Sequence, residues 1–201
     1  MEKSVSTQAK VRITPEEYLE IERAAEFRSE YLNGEMFPMP GATFKHNLIT
    51  TNVVVQLSMA FVDRPCLVVS TDMRIKVPST GLFTYPDVIA PCSQPQLEGD
   101  HEDILLNPQL IVEVLSPSTE SYDRGKKFAH YRTIESLLEY VLISQTECRV
   151  ERFTRQNDGE WLYSEATDLN GSIELKSIAC RLNLASIYYR VDLQHDTEFA
   201  H

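Results

Sequence analysis

The sequence predicts an α/β (α+β) protein in which a mixed β-sheet is flanked by helices and extended by antiparallel hairpins. Three observations predict it. From Lys45 to Phe61 the residues Ile49, Val53, Leu57 and Phe61 recur at four-residue steps, which is one face of a helix. Two stretches, PQLIVEVLSP (108–117) and EYVLIS (139–144), are almost wholly apolar, as strands buried on both faces are. Between them, residues 123–137 return to helical spacing through Phe128, Tyr131 and Ile134, so strand, helix and strand follow one another.

The remaining elements follow in order. Residues 1–13 read as a loose arm. Thr14, Pro15 and Glu17 then form a helix start: a hydroxyl cap, a proline where no N–H is needed, and an acid three residues on. That helix covers about 15 to 25, with Tyr18, Leu19 and Ile21 on its apolar side. SEYLNGEMFPMP is strand, turn and strand, because Asn-Gly between apolar flanks favours a tight hairpin. After the 45–61 helix come two strands, CLVVSTDMRIKVP (66–78) and TYPDVIAP (84–91), before the buried strand at 108–117. Residues 147–183 alternate and are broken by Asn-Asp-Gly and Asn-Gly, which predicts an antiparallel meander. The tail 191–201 is polar.

Composition narrows the class. A chain of 201 residues, 42% hydrophobic and 24% charged, suits one globular domain. No apolar run approaches the roughly 20 residues a membrane helix needs, and the N-terminus has no apolar stretch of a secretory leader. The expected location is therefore cytoplasmic, with no membrane partner. Cys66, Cys92, Cys148 and Cys180 are widely spaced with no CxxC pair, which predicts reduced, buried thiols rather than a zinc site or a disulfide. The net charge of −11 weighs against a nucleic-acid ligand, since phosphate binding draws mainly on Lys and Arg, although a single cleft can differ from the whole.

Several residues are candidates for chemistry. Glu113 sits in LIVEVL, where an acid pays a desolvation penalty unless a cation, a metal or a proton compensates it. A buried salt bridge, or a place at the exposed end of the strand, would explain it equally well. Asp87 follows Pro86 and enters an apolar strand; alone it reads as a turn residue. Two carboxylates converging on one point repel, and a divalent cation is the usual reason to keep them together, with oxygen ligands favouring Mg²⁺ or Mn²⁺. Lys127 lies four residues after Asp123 and four before Tyr131, on one helix face, where a wet i,i+4 ion pair is the simpler reading. Arg124, Lys126, Lys127 and Arg132 nevertheless make RGKKFAHYR locally basic, as phosphodiester binding requires. Glu35 offers a further carboxylate, and His46 a proton donor or acceptor, or simply a capping imidazole.

The succession YLNGEMFPMP, His46, YPDVIA, LIVEVLSPST, DRGKKFAHYR and LEYVLIS resembles the Uma-type restriction endonucleases of the PD-(D/E)XK nuclease superfamily over about 14–190, as a single domain. The resemblance implies an αβββαβ core and metal-assisted hydrolysis of phosphodiester bonds in DNA. It implies Asp87, Glu113 and the Val114 carbonyl as Mg²⁺ (or Mn²⁺) ligands, with Lys127, Glu35, His46 and Tyr131 beside them. The basic stretch makes Arg124, Lys126 and Arg132 the expected substrate contacts, and the resemblance further implies a homodimer. The motif's lysine belongs two residues after the acid, where this chain has Leu115; Lys127 on the next helix stands in for it. Two other readings stay open. One is a nuclease fold kept as an interaction module, which the net charge and Leu115 favour; the other is a phosphoesterase acting on a small nucleotide.

Overall fold

The computed structural model describes residues 12–193, so most of the predicted N-terminal arm and the end of the tail lie outside the described residues. Helix α1 (Pro15–Ala24) begins with the predicted reciprocal cap: Glu17 N–H donates to Thr14 Oγ1 at 3.2 Å and Thr14 N–H to the Glu17 carboxylate at 2.7 Å. Its inward side differs from the prediction. Tyr18 is fully buried, but Ile21 is exposed and Glu22 is buried in its place, since the i,i+4 step from Tyr18 reaches position 22. There Glu22 Oε1 accepts from Ser29 N–H and Tyr85 OH, while its Oε2 is buried with no hydrogen-bond partner.

Strands β1 (Ser29–Leu32) and β2 (Glu35–Pro38) form the predicted hairpin, with Asn33 and Gly34 both at positive φ (52° and 87°), as the tight two-residue turn demands. Helix α2 (Phe44–Ala60) follows, with Ile49, Val53 and Leu57 buried along the predicted face.

The two predicted strands that come next are each broken in two. The first gives β3 (Val69–Ser70) and β4 (Arg74–Val77), parted by Thr71, whose φ is 55°. The second gives β5 (Leu82–Thr84) and β6 (Val88–Ala90), parted by Tyr85-Pro86-Asp87, where the proline has no N–H for a ladder. Each chain segment thereby passes from one sheet to another. β4 and β5 join β1, β2 and a short β7 (Ile104–Leu105), which the sequence did not reveal, in the order β2-β1-β5-β4-β7.

The second sheet is the centre of the molecule. β8 (Leu110–Leu115) leads through α3 (Glu120–Tyr122), a π-helical turn (Asp123–Lys127) and α4 (Phe128–Tyr131) to β9 (Glu139–Ser144). β8 and β9 pair in parallel, as a strand–helix–strand crossover does. β10 (Val150–Arg155) and β11 (Trp161–Ala166) complete the order β11-β10-β9-β8-β6-β3. The predicted meander ends there. β12 (Ser172–Leu175) and β13 (Cys180–Asn183), joined through a 3-10 turn (Lys176–Ile178), make a separate hairpin that leads into α5 (Leu184–Ile187).

Alternation along the central strands assigns the two faces. Val112, Val114, Val141 and Ile143 pack with α2, α5 and the β12–β13 hairpin; Ile111, Leu115, Tyr140 and Leu142 pack with Tyr131, Ile134 and Leu137. Glu113 alternates with the second group and therefore faces α4. No helix among the described residues is long and apolar enough to cross a membrane.

The thiols correct the sequence prediction. Cys66 and Cys92 form a disulfide, while Cys148 and Cys180 are free. The partners are far apart in the chain, but β3 and β6 pair antiparallel with Val69 opposite Ile89, and the same register extended three residues sets Cys66 opposite Cys92. Spacing alone did not disclose that register.

Candidate active site

Asp87 lies where the chain leaves the first sheet and enters β6. Val88 is opposite Val112 in the antiparallel ladder, so the next register position places Asp87 across from Glu113. The ladder hydrogen bonds stop there, and the Asp87 carboxylate takes over: Val114 N–H donates to its Oδ2 at 2.7 Å, and its own N–H approaches Glu113 Oε2 at 3.4 Å. In an extended strand the N–H and C=O of one residue point to the same side. The Val114 carbonyl therefore faces the same gap as Asp87. The two acids, 26 residues apart in sequence, share one edge of one sheet.

Glu113 is buried and held from the opposite side. Lys127 Nζ is 2.8 Å from its Oε1, and Tyr131 OH donates to the same oxygen at 2.9 Å. The π-helical turn Asp123–Lys127 and the helix after it bring Asp123, Lys127 and Tyr131 to one inward face. The simpler reading of a wet Asp123–Lys127 pair is thus set aside: both residues are buried and their charged atoms are 3.4 Å apart.

A further carboxylate completes the cluster. Glu30, on β1, lies 3.5 Å from Lys127 Nζ, accepts from Tyr122 OH at 3.0 Å and is also bonded by the Thr84 hydroxyl. The acid expected from this hairpin is Glu35. Glu35 stands opposite Leu32 at the turn end of β2 and is half-buried; the hairpin acid against Lys127 is Glu30. Glu30 and Tyr31 are both buried, so β1 is covered on both sides, and an acid in such a strand is the same signal that singled out Glu113.

His46 reaches in from the first turn of α2, its Nε2 3.1 Å from Asp87 Oδ2; its Nδ1 is buried with no hydrogen-bond partner. The predicted substrate contacts differ in their surroundings. Arg124 is ion-paired with both Glu120 and Glu151, whereas Lys126 and Arg132 are exposed and Arg132 lies over the Phe128 ring.

The electrostatics of the cluster are unbalanced. One ammonium faces Glu30, Glu113 and Asp123, with Asp87 alongside. Burial pushes the Glu113 carboxyl up to about 8, with Lys127 opposing and Asp87 and Asp123 adding to the rise. Burial raises Asp123 as well. For Lys127 burial disfavours the charge, but Glu113, Asp123 and Glu30 outweigh it and hold the ammonium well above its ordinary range. Tyr131 is raised by burial and by Glu113, so its hydroxyl stays protonated and donates. A buried group with this excess of carboxylates calls for a further cation or for bound protons.

Residues 15–185 match the family described as "Uma2: Putative restriction endonuclease". The chain belongs to that family. Two relatives come from Synechocystis sp. (strain ATCC 27184 / PCC 6803 / Kazusa). The uncharacterized protein sll1609 is 37% identical over 81% of this chain and 92% of its own length. The uncharacterized protein slr1290 is 34% identical over 88% of this chain and 92% of its own length. Among solved structures, a "putative nuclease belonging to DUF820" from Anabaena variabilis ATCC 29413 superposes with a TM-score of 0.70. It covers 88% of this chain and 97% of that one at 21% identity, a likeness of fold. This Uma2-family chain thus has the mixed sheets flanked by helices that its sequence predicts.

Proposed function

We propose that this Uma2-family protein is a metal-dependent endonuclease that hydrolyses phosphodiester bonds in DNA, with Mg²⁺ or Mn²⁺ held by Asp87, Glu113 and the Val114 carbonyl. The observation that carries the reading is the meeting of Asp87 and Glu113 at one sheet edge, with the Lys127 ammonium 2.8 Å from Glu113.

The donor set fits such a cation. Among the described residues, no three His, Cys, Asp or Glu side chains are arranged to hold a metal by themselves. Mg²⁺ asks for less: it commonly takes one or two carboxylates and fills its shell with water and substrate phosphate oxygens. Two hard carboxylates and a carbonyl on one edge meet that need, and a cation there would offset the surplus negative charge around Lys127. A cation there would supply Lewis-acid chemistry, drawing charge from a phosphoryl oxygen and easing ionisation of the attacking water.

The chain's own residues do the positioning. Lys127 is fixed by three carboxylates and remains charged, so it can stabilise charge developing on phosphate without reorganising. Tyr131 holds one oxygen of Glu113 and leaves the other directed toward Asp87. Val114 N–H and His46 pin Asp87 Oδ2. The alternative of an inactive interaction module draws support from the neutralised Arg124 and the net charge of −11.

Plasmid nicking separates the two. The reading expects cleavage with Mg²⁺ or Mn²⁺, none in EDTA, and none from Asp87→Ala or Glu113→Ala. Equal nicking by wild type and both variants would defeat it.

A further inference from the structure

Helix α2 is 17 residues long, and its first turn carries no acidic side chain. The partial positive charge at its N-terminus is therefore not offset from within the helix. Thr43 caps it: His46 N–H donates to Thr43 Oγ1 at 3.1 Å. The N–H of Phe44, at the first helical position, has no acceptor within the helix.

The independent observation is Gln145. It follows the last residue of β9, is only 4% exposed, and accepts from the Thr43 hydroxyl through Oε1 at 2.9 Å. Its amide nitrogen, Nε2, is buried with no hydrogen-bond partner. A buried N–H donor left without an acceptor is rare and calls for an explanation. Because its oxygen is held by the helix cap, the unpartnered amide nitrogen lies close to the first turn of α2. The free N–H at the helix start and the unpartnered amide nitrogen are both donors, which is the chemistry that binds an oxyanion. The nearby Glu147 is ion-paired with Arg149 and adds little opposing charge.

The place is also set by topology. Ser144, just before Gln145, is level with Leu115 at the exit of β8, so the turn of α2 stands over the carboxyl ends of the two parallel strands. His46 in that turn touches Asp87.

We propose that the first turn of α2 and the Gln145 amide form a seat for a backbone phosphate of the nucleic acid, next to the one that would be cut. The inference rests on the nuclease reading for the identity of the polyanion, but not for the seat itself. The seat also gives an acidic protein a local means of holding a phosphodiester chain without a basic surface.

The test uses NMR on the full chain without divalent metal, titrated first with inorganic phosphate and then with a short DNA duplex. Both should shift the Phe44 backbone amide and the Gln145 side-chain amide. Gln145→Leu should weaken each by about ten-fold, the expected loss of a hydrogen bond to a charged acceptor. Gln145→Glu, which keeps the bond to Thr43 and adds repulsion, should abolish both. Shifts with phosphate but not DNA would overturn the assignment to a nucleic-acid backbone, and no shift with either would overturn the seat. Shifts with both ligands alongside absent nicking would leave the seat standing and fault only the nuclease reading. Nicking without shifts would do the reverse.

Discussion

Replacing Lys127 with methionine keeps the length of the side chain and removes its charge. In the wild type the ammonium is 4% exposed and lies 2.8, 3.4 and 3.5 Å from Glu113, Asp123 and Glu30. Without it, three buried carboxylates lose the cation they share. Removing one partner of a buried ion pair costs about 3–5 kcal/mol, because the other charge stays behind uncompensated. The loss should depend on pH in a definite sense. Glu113 and Asp123 already bind protons more tightly when folded than ordinary carboxyls do, and removing Lys127 raises them further. Acids with raised folded values contribute stability that is complete below their unfolded values and disappears as pH rises through the folded ones. Urea denaturation of Lys127→Met should therefore show the full deficit at pH 8 and a much smaller one at pH 5. A second substitution, Glu113→Gln, should restore part of it at pH 8. A deficit equal at both pH values, or below about 1 kcal/mol as for an exposed pair, would refute the buried-cluster argument.

The same linkage acts on the wild type. In EDTA, stability should fall as pH rises from roughly 4.3, the ordinary glutamate value, through the raised value of about 8 at Glu113, and Glu113→Gln should flatten that profile in thermal melts. At the hairpin, Gly34 has φ of 87° and an added Cβ would stand 2.7 Å from the Arg12 Cβ. Gly34→Ala should cost about 1–3 kcal/mol in urea denaturation; an unchanged midpoint would show that the turn relaxes freely.

Much of this arrangement was legible in the sequence because it depends on local patterns. The four-residue repeat in α2, the Thr14–Glu17 cap and the Asn33-Gly34 turn all act over a few residues and all appear where the pattern put them. Glu113 was legible because an acid amid LIVEVL violates that pattern. The features that were missed depend on pairing. β7 is two residues long and exists through its parallel partner β4. The Cys66–Cys92 bond follows from the β3–β6 register. Glu30 becomes part of the cluster only when β1 pairs beside β5, which places it against Thr84 and Lys127. The two strands read as continuous bend between sheets at Thr71 and Pro86, and that bend positions Asp87. The proline was visible, but its partner strand was not. The basic stretch 124–132 misled in the opposite way: its charges are adjacent in sequence, yet the helix turns Lys127 inward and gives Arg124 to Glu120 and Glu151.

The account depends most on Asp87 and Glu113 acting together on one cation. Calorimetric titration of Mn²⁺ into the purified chain measures this without requiring a substrate or turnover. The account predicts saturable binding that is lost in Asp87→Ala and in Glu113→Ala alike, while Glu35→Ala leaves it unchanged. Binding that survives either of the first two substitutions, or no binding by the wild type, would contradict it.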